Sequence, residues 1–394
     1  MTAAFEARTA PRQDATRALV AVFLAVFFAS GSRFAFTAFV VPLEAALGVD
    51  RATIGLAAAL SLVAYGVAQP FSARLGERVA PAIVMLGGLA LMAVSAIGMA
   101  LARTELALFV FGGLLPGIGF AAASIVPASA ILAPLFPRRT GFALGVASAA
   151  IPAGQALAVP LAASLIGSSG WPLAYAAIGV GALLLGAPGL LGLARTAAPA
   201  AMPRRGATTA DATFWLLAVG FSACGFTDQL VAVHAVPLAE DAGVAPLVAA
   251  LALSALTLVA IAGSLASGPL ADGWSDAGVL AVVYGGRAVT LPLLLFVGTL
   301  GGLPLWIFAV AFGLTYISNN APAAGALART RGPAAVAAAL GWLQFAHQMG
   351  GALGVAAGGV SVSLTGGYLA AIALAVALAL AGLAASLGLR RVLA

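Results

Sequence analysis

Charged residues are scarce in this 394-residue sequence: lysine is absent, and the charged residues together make up only 8%. A water-soluble domain needs roughly a quarter of its residues charged, so a soluble fold is excluded. Hydrophobic residues reach 63%, which excludes a disordered chain because disorder requires low hydrophobicity. A single cysteine, Cys224, excludes a fold held together by disulfide bonds. The outer surface of the protein is therefore expected to face lipid.

Groups that carry catalytic or metal chemistry are also few. The two histidines, His234 and His347, are distant from each other in the sequence, and Cys224 is the single cysteine, so we predict neither a metal site nor a cofactor. A Walker-type nucleotide loop needs a lysine, and the absence of lysine from the sequence excludes direct use of ATP. A membrane enzyme or scaffold needs a catalytic cluster or long loops, and since we find neither, we do not expect an enzyme. His347, near the middle of an apolar stretch, either relays protons or forms a structural hydrogen bond.

Long apolar stretches follow one another along the sequence. A hydrocarbon layer of about 30 Å takes roughly 20 helical residues to cross, and these stretches are far longer than a membrane β-strand of about ten alternating residues. We therefore predict an all-α polytopic membrane protein. Its twelve predicted spans are 18–41, 52–73, 80–102, 106–134, 141–167, 172–194, 213–238, 247–270, 278–300, 303–327, 334–364 and 368–389.

The two halves of the sequence resemble each other. Residues 41–49 read VPLEAALGV, and residues 236–244 read VPLAEDAGV, 195 positions later. Such similarity at a fixed offset indicates a duplicated structural unit. We predict two parallel repeats of six helices, at 1–194 and 212–394, joined by a linker at 195–211.

The 18 arginines are divided unevenly between the two sides of a twelve-span protein. Only Arg51 and Arg103 fall on one side. The arginines on the other side are Arg8, Arg12, Arg17, Arg74, Arg78, Arg138, Arg139, Arg195, Arg204, Arg205, Arg329, Arg331, Arg390 and Arg391. Basic residues mark the cytoplasmic side, so we predict cytoplasmic termini and a location in the cytoplasmic (inner) membrane. Because the charges are spread over loops, they predict contact with the lipid bilayer and no nucleic-acid binding.

Three charged residues, Arg33, Arg287 and Asp228, fall inside predicted spans. A charge at the membrane centre costs about 2.5–3.5 kcal/mol on insertion scales, so each is expected to be paired or to line a watery cavity. Asp228 lies 195 residues after Arg33, at the equivalent position of the second half. In transporters built from parallel repeats, the binding site lies between the halves at mid-depth. We predict that Arg33 and Asp228 face each other there and pair without substrate; the alternative is that each ties unrelated helices together.

Arg287 and several polar side chains of the second half are further candidates for substrate contact. Arg287 corresponds to a position near Met92 of the first half and so has no symmetric partner; it either lines the cavity or ties helices together. Polar residues share a helix face in two spans, namely Tyr316, Asn319 and Asn320 in the tenth, and Gln344, His347 and Gln348 in the eleventh. Since lipid satisfies no polar group, they face the cavity or form hydrogen bonds between helices.

A loop motif follows the second helix of each half. Residues 73–80 read ARLGERVA and residues 268–275 read GPLADGWS, with Asp272 195 residues after Glu77. The motif resembles the G-x-L-x-D-R-x-G pattern of the major facilitator superfamily, as do the twelve spans, the two halves and the basic central loop. The resemblance implies the major facilitator fold and a role for Glu77, Arg78 and Asp272 in gating the cytoplasmic side. The alternative is an ordinary solvated loop.

Longer stretches are similar to bacterial members of the monocarboxylate transporter and oxalate/formate antiporter branch of that superfamily. They are 65–81, 138–155, 214–238 and 339–354. This resemblance implies proton-linked or exchange transport of small organic anions, with a basic first-helix residue near the substrate, here Arg33. Characterised members bind the carboxylate through an arginine of the eighth helix, whereas residues 259–267 contain none.

We therefore expect a monomeric secondary active transporter of a small organic anion that resembles a monocarboxylate. It is expected to work by alternating access and to couple the anion to protons by symport. In this prediction Arg33 binds the anion, and Asp228 and His347 carry protons. The alternative function is a proton-driven exporter of drugs or amphiphiles, in which Asp228 serves protons or cations and first-helix aromatic residues contact the substrate.

Overall fold

The computed structural model describes residues 12–76, 78–136, 140–194, 211–300, 302–331 and 333–393. Every regular element in these ranges is a helix, and the helices form twelve crossings, numbered here spans 1 to 12 in chain order. The predicted all-α fold of two six-helix halves is confirmed. The residue limits of the predicted linker at 195–211 stay a prediction, because only its last residue lies within the described ranges.

The first half consists of spans 1 to 6. Span 1 is interrupted only at Ala35, and span 4 is built from four short segments, the second of them π-helical. The helices are Arg12–Phe34 and Phe36–Leu47 (span 1), Arg51–Gly76 (span 2), Pro81–Ala100 (span 3), Glu105–Ala107, Leu108–Leu114, Leu115–Ala122 and Ile125–Leu135 (span 4), Thr140–Ser169 (span 5) and Trp171–Leu193 (span 6).

The second half consists of spans 7 to 12. Span 9 ends in a 3-10 segment, and span 10 consists of two helices separated by turns. The helices are Ala212–Asp241 (span 7), Pro246–Gly273 (span 8), Asp276–Thr290 and Leu291–Phe296 (span 9), Leu303–Gly313 and Asn320–Arg331 (span 10), Pro333–Thr365 (span 11) and Leu369–Leu393 (span 12).

The ends of the helices follow ordinary capping chemistry. Pro81 and Pro246 stand at the first helical position, where a missing N–H costs no hydrogen bond. Asp211 and Ser275 accept hydrogen bonds from backbone N–H groups of the first turns of spans 7 and 9, as N-cap residues do. Gly48 ends span 1 with a φ of 63°, a left-handed conformation that glycine adopts without strain.

Ten helices are long and apolar enough to cross a membrane by length and composition. Spans 10 and 11 fall outside that group because span 10 is split and span 11 is rich in glycine and polar side chains. These are the two spans in which the sequence places stripes of polar residues. The split of span 10 and the glycine and polar residues of span 11 therefore coincide with the part of the bundle predicted to contact substrate.

The same position is interrupted in the fourth helix of each half. Span 4 breaks at Ala123 and Ser124, and span 10 between Leu314 and Asn319. Ser124 and Asn319 are 195 residues apart, which is the repeat offset. Interrupted helices at membrane depth expose backbone groups that the protein interior must satisfy, and in transporters they line binding sites. The sequence analysis predicted both spans as continuous helices.

Spans 7 and 11 approach so closely that their contact requires glycine. A Cβ atom added at Gly225 would lie 1.9 Å from the carbonyl oxygen of His347, and one added at Gly354 would lie 2.2 Å from that of Phe226. Small residues permit such close packing of membrane helices. The contact brings Asp228, nearly one turn after Gly225, beside His347.

Candidate functional site

Asp228 forms an ion pair with Arg287 inside the second half. The two residues lie on spans 7 and 9, and Arg287 Nη1 is 2.6 Å from Asp228 Oδ1. Arg287 is fully buried, and Asp228 is 3% exposed. Burying an ion costs several kcal/mol, and mutual attraction offsets this cost when geometry is good and further hydrogen bonds are made. Asp228 is therefore neutralised from within its own half.

The other polar contacts of Arg287 are hydroxyl and backbone oxygens. Nη1 donates to Thr227 Oγ1 at 2.6 Å and to the Cys224 carbonyl at 3.2 Å. Nη2 donates to the carbonyls of Thr315 and Tyr316, both at 2.7 Å. These two carbonyls lie at the break of span 10, where an interrupted helix leaves carbonyls in need of donors. Arg287 ties spans 7, 9 and 10 together, and both its terminal nitrogens are engaged, so the geometry favours this role over substrate contact.

A thiol and an imidazole meet at the second oxygen of Asp228. Cys224 Sγ donates to Asp228 Oδ2 at 3.2 Å, and His347 Nε2 lies 3.5 Å from the same oxygen. The sulfur, the carboxylate oxygen and the ring nitrogen all lie within 4.8 Å of one another. The prediction of no metal site relied on the distance between these residues along the chain. Their proximity in the fold removes that argument.

Arg33 lies against aromatic rings of the first half. Its guanidinium carbon is 5.0 Å from the ring centre of Phe34, 5.4 Å from that of Tyr65 and 4.9 Å from that of Phe120. A cation over an aromatic face gains about 0.5–2 kcal/mol. Tyr65 in turn hydrogen-bonds with Ser124 at the break of span 4. Among the described residues Arg33 forms no ion pair with a carboxylate, so its charge is stabilised by rings alone.

Tyr316 lies near both charged centres. It lies near Arg33 and Asp228, and also near Gln155 of span 5. The predicted ion pair between Arg33 and Asp228 is wrong for this structure, because Arg287 reaches Asp228 from the same half. The two predicted residues are instead connected through Tyr316, at the break of span 10.

A cavity lies beside Arg33, between the first half and span 7. Its walls include Arg33 and Ser61 from the first half and Gln229 and Val233 from span 7. The Thr37 hydroxyl donates to the Val233 carbonyl at 2.9 Å and joins the halves beside it. A guanidinium without a described acidic partner thus lies at a cavity where the two halves meet.

Six polar atoms of spans 1, 5, 10 and 11 are buried without a hydrogen-bond partner among the described residues. They are Ser30 Oγ, Arg33 Nε, Gln155 Nε2, Asn319 Nδ2, His347 Nδ1 and Gln348 Oε1. Buried polar atoms in folded proteins are nearly all hydrogen-bonded, so unpaired ones indicate where a ligand or water supplies the partners. Four of the six are donors as the side-chain amides are oriented, which suits a ligand rich in acceptor oxygens.

Other predicted site residues have different surroundings. Asn320 is exposed and accepts a hydrogen bond from Gln344 Nε2 at 2.9 Å, which is the interhelical contact considered as the alternative. His234 is buried, and its Nε2 lies 2.8 Å from the Val355 carbonyl. Both contacts hold helices together.

Two of the predicted gating residues, Arg78 and Asp272, are exposed at the end of the bundle where span 1 begins and span 12 ends. Glu77 lies outside the described residues. An ion pair at this end, between the exposed Arg329 and the buried Asp276, stays within the second half. The predicted gating role stays a prediction.

The sequence analysis missed a contact between the halves at the opposite end of the bundle. Arg51, at the start of span 2, is 5% exposed and pairs with Glu44 of the first half. Its Nη1 is 3.1 Å from Asp241 and 2.7 Å from the Tyr368 hydroxyl, both of the second half. Arg51 had been used only as a marker of sidedness. Together with the hydrogen bond from Ala52 N–H to Ser363 Oγ, at 3.0 Å, it closes this end.

Two six-helix halves, a cavity between them and broken helices beside buried charges define a membrane transporter built from repeats. Comparison with known proteins identifies the family: residues 22–227 match the model of the Major Facilitator Superfamily, and this chain belongs to that superfamily. The fold and the superfamily inferred from the loop motif are thereby confirmed.

Several relatives are similar over most of their length. An uncharacterized MFS-type transporter of Bacillus subtilis, YcxA, is 27% identical over 94% of this chain and 93% of its own. Monocarboxylate transporter 11 of Mus musculus is 31% identical over 86% of this chain and 78% of its own. Monocarboxylate transporter 13 of Rattus norvegicus is 27% identical over 92% of this chain and 86% of its own. The resemblance to monocarboxylate transporters is confirmed by these relatives.

Solved structures share the fold. A bacterial homologue of the human lysosomal transporter Spinster, in an inward-facing and occupied conformation, has a TM-score of 0.80 at 17% identity and covers 97% of this chain and 98% of its own. The same homologue in its inward-facing, unoccupied conformation has a TM-score of 0.72.

Proposed function

We propose that this transporter carries a small organic anion of the monocarboxylate type together with protons. The observation that carries the proposal is the contrast between the two arginines inside the membrane spans. Arg287 is neutralised by Asp228 at 2.6 Å, whereas Arg33 has no described carboxylate partner, lies against aromatic rings and lines the cavity between the halves. A carboxylate at Arg33 supplies the missing negative charge.

An anion is favoured over a cation by the polar atoms near Arg33. Ser30 lies about one helical turn before Arg33 on span 1. Gln155 lies near Tyr316, which in turn lies near Arg33. Ser30 Oγ, Arg33 Nε and Gln155 Nε2 all lack partners among the described residues and can donate hydrogen bonds. Hydrogen bonds from such donors to a carboxylate contribute about 1.5–3 kcal/mol each when a charge is involved.

Proton coupling is proposed for Asp228, with His347 as its neighbour. Protonation of Asp228 removes the charge that pairs with Arg287. Arg287 then relies on its neutral acceptors, which include the carbonyls of Thr315 and Tyr316. Because Tyr316 also interacts with Arg33, a change at Asp228 reaches the anion site through the break of span 10.

We infer that the end bearing the termini faces the cytoplasm, since most arginines lie there, and that the protein works as a monomer in the cytoplasmic membrane. The contacts of Arg51 with Asp241 and Tyr368 then close the outer side. The exposed Arg78 and Asp272 at the inner side contrast with this closed outer end. Their arrangement supports a state closed to the outside and ready to open to the cytoplasm.

The test is uptake of radiolabelled acetate, lactate and pyruvate into proteoliposomes with an imposed pH gradient. Arg33→Gln is expected to raise KM by about 10- to 150-fold, which corresponds to a charged hydrogen bond of 1.5–3 kcal/mol. Arg33→Lys retains the charge and is expected to lose less. The matched control is Arg103→Gln, because Arg103 is exposed and bonds only to the neighbouring Ala102 carbonyl among the described residues.

Coupling is tested by Asp228→Asn in the same assay. We expect exchange of labelled for unlabelled substrate to persist, while accumulation driven by the pH gradient is lost. Accumulation by Asp228→Asn at the wild-type level contradicts the coupling role. The anion proposal is contradicted if the wild type takes up no carboxylate and transports amphiphilic cations at a rate that Arg33→Gln leaves unchanged. That result favours the exporter.

A further inference from the structure

The buried triad of Cys224, Asp228 and His347 is a candidate metal site. Two of the ligand atoms belong to Cys224 and Asp228, just over one turn apart on span 7, and the third belongs to His347 on the adjacent span 11. They are a thiol, a carboxylate and an imidazole, which are the three side-chain ligand types of Zn²⁺. We propose that this triad binds a divalent transition-metal ion such as Zn²⁺. The site shares Asp228 and His347 with the proposed proton coupling, but it does not depend on which substrate the transporter carries.

The distances are close to those of a tetrahedral site. Metal–ligand bonds of about 2.0–2.3 Å place neighbouring ligand atoms roughly 3.3–3.7 Å apart. Cys224 Sγ lies 3.2 Å from Asp228 Oδ2, and His347 Nε2 lies 3.5 Å from it. The remaining distance, between sulfur and nitrogen, is at most 4.8 Å, so a shift of about 1 Å in one side chain completes the triangle.

The surroundings of Asp228 suit a ligand. Arg287 holds Oδ1 at 2.6 Å and leaves Oδ2 facing the thiol and the imidazole, and such partners orient carboxylate ligands. The side chain of His347 is 15% exposed, against 4% for Asp228, so the ion approaches from the histidine side.

The charge balance defines the fourth ligand. Metal binding displaces the thiol proton to solvent, because the thiolate is the ligand. The loaded site then holds a dication, an arginine, a carboxylate and a thiolate, a net charge of one positive unit where the metal-free site is neutral. An anion such as hydroxide or chloride at the fourth position restores neutrality. His347 Nδ1 has no partner among the described residues, so we expect weaker binding than at structural zinc sites, where this nitrogen is hydrogen-bonded.

The test is titration of the purified, tag-free protein with Co²⁺ in detergent, followed by the thiolate-to-cobalt charge-transfer absorption. We expect one Co²⁺ per chain, displaced by Zn²⁺. Because Cys224 is the single cysteine, Cys224→Ser is expected to abolish the band, and His347→Ala to weaken Co²⁺ binding by at least tenfold. His234→Gln is the matched control, since His234 lies outside the triad, and its titration is expected to match that of the wild type.

A second measurement distinguishes loss of the metal site from misfolding of a variant. A bound ion stabilises the folded state by RT ln(1 + [L]/Kd), so Zn²⁺ is expected to raise the unfolding temperature of the wild type and of His234→Gln, and not that of Cys224→Ser. A wild type without a charge-transfer band overturns the proposal. So does a band that His347→Ala leaves at full affinity. Neither result depends on transport, so the anion proposal is judged separately.

Discussion

Arg287→Gln is expected to destabilise the protein more than Asp228→Asn does, although both substitutions break the same ion pair. Without Arg287, Asp228 is a carboxylate that is 3% exposed and faces only a thiol and an imidazole. Removing one partner of a buried pair costs about 3–5 kcal/mol because the remaining charge is uncompensated. The carbonyls of Thr315 and Tyr316 lose their donor as well.

Asp228→Asn leaves Arg287 with four neutral acceptors. They are Thr227 Oγ1 and the carbonyls of Cys224, Thr315 and Tyr316. Because these oxygens still solvate the guanidinium, we expect a cost of about 1–3 kcal/mol, the range for a lost hydrogen bond to a charged group. The difference between the two variants is then about 2 kcal/mol. The double variant is expected to be more stable than the sum of the single costs predicts, since it leaves no unpaired charge.

The assay is unfolding of the purified protein in mixed micelles by titration with SDS, followed by fluorescence of its five tryptophans. Circular dichroism of each variant before titration establishes that it is folded. Equal costs for the two single variants would refute the role assigned to the acceptors of Arg287. Strict additivity in the double variant would refute the ion pair itself.

Three further predictions concern the opposite end of the bundle and the second histidine. Gly359→Val is expected to hold spans 2 and 11 apart, because a Cβ there meets the Arg51 carbonyl oxygen at 2.5 Å; faster hydrogen exchange at the ends of both spans would report it. Asp50, whose pKa is lowered by hydrogen bonds from Thr53, caps span 2; Asp50→Ala is expected to cost about 1 kcal/mol at pH 7. A carboxyl with a depressed folded-state pKa stabilises the fold only while it is ionised, so the difference between Asp50→Ala and the wild type is expected to disappear as the pH falls through the lowered pKa. Thermal unfolding from pH 7 to below pH 3 measures this difference. His234→Ala is expected to lower stability by about 1–3 kcal/mol by freeing the buried Val355 carbonyl, while the pH dependence of transport stays as in the wild type.

Hydrophobic periodicity and the repeat were sufficient to predict the twelve helices, because lipid requires long apolar helices whatever their neighbours. The partner of Asp228 could not be predicted in the same way. The repeat relates Arg33 to Asp228 across the halves, but the ion pair forms inside one half, between adjacent helices. Arg287 was left without a partner because symmetry was the only guide. The spacing of Cys224 and Asp228, four residues apart on one helix, was the signal that could have found the triad.

The breaks in spans 4 and 10 show a further relation between the two halves. Each break lies near one buried arginine: Arg33 contacts Phe120 and Tyr65 beside the break of span 4, and Arg287 donates to carbonyls at the break of span 10. If both arginines were paired with carboxylates, no fixed charge would remain to attract an anion. If both were free, two uncompensated charges would be buried, each at a cost of several kcal/mol.

One paired and one unpaired arginine avoid both problems, and under the proposed function they relate the binding of the anion to that of the proton. An anion at Arg33 neutralises the first half, and a proton at Asp228 leaves Arg287 charged in the second. The two events therefore change the charge of the interior in opposite directions. The interior carries one positive unit when both sites are empty and again when both are loaded, no net charge with the anion alone, and two positive units with the proton alone. Because burying an unpaired charge costs several kcal/mol, the state loaded with a proton alone is the least favourable, and a proton is expected to be carried only together with the anion.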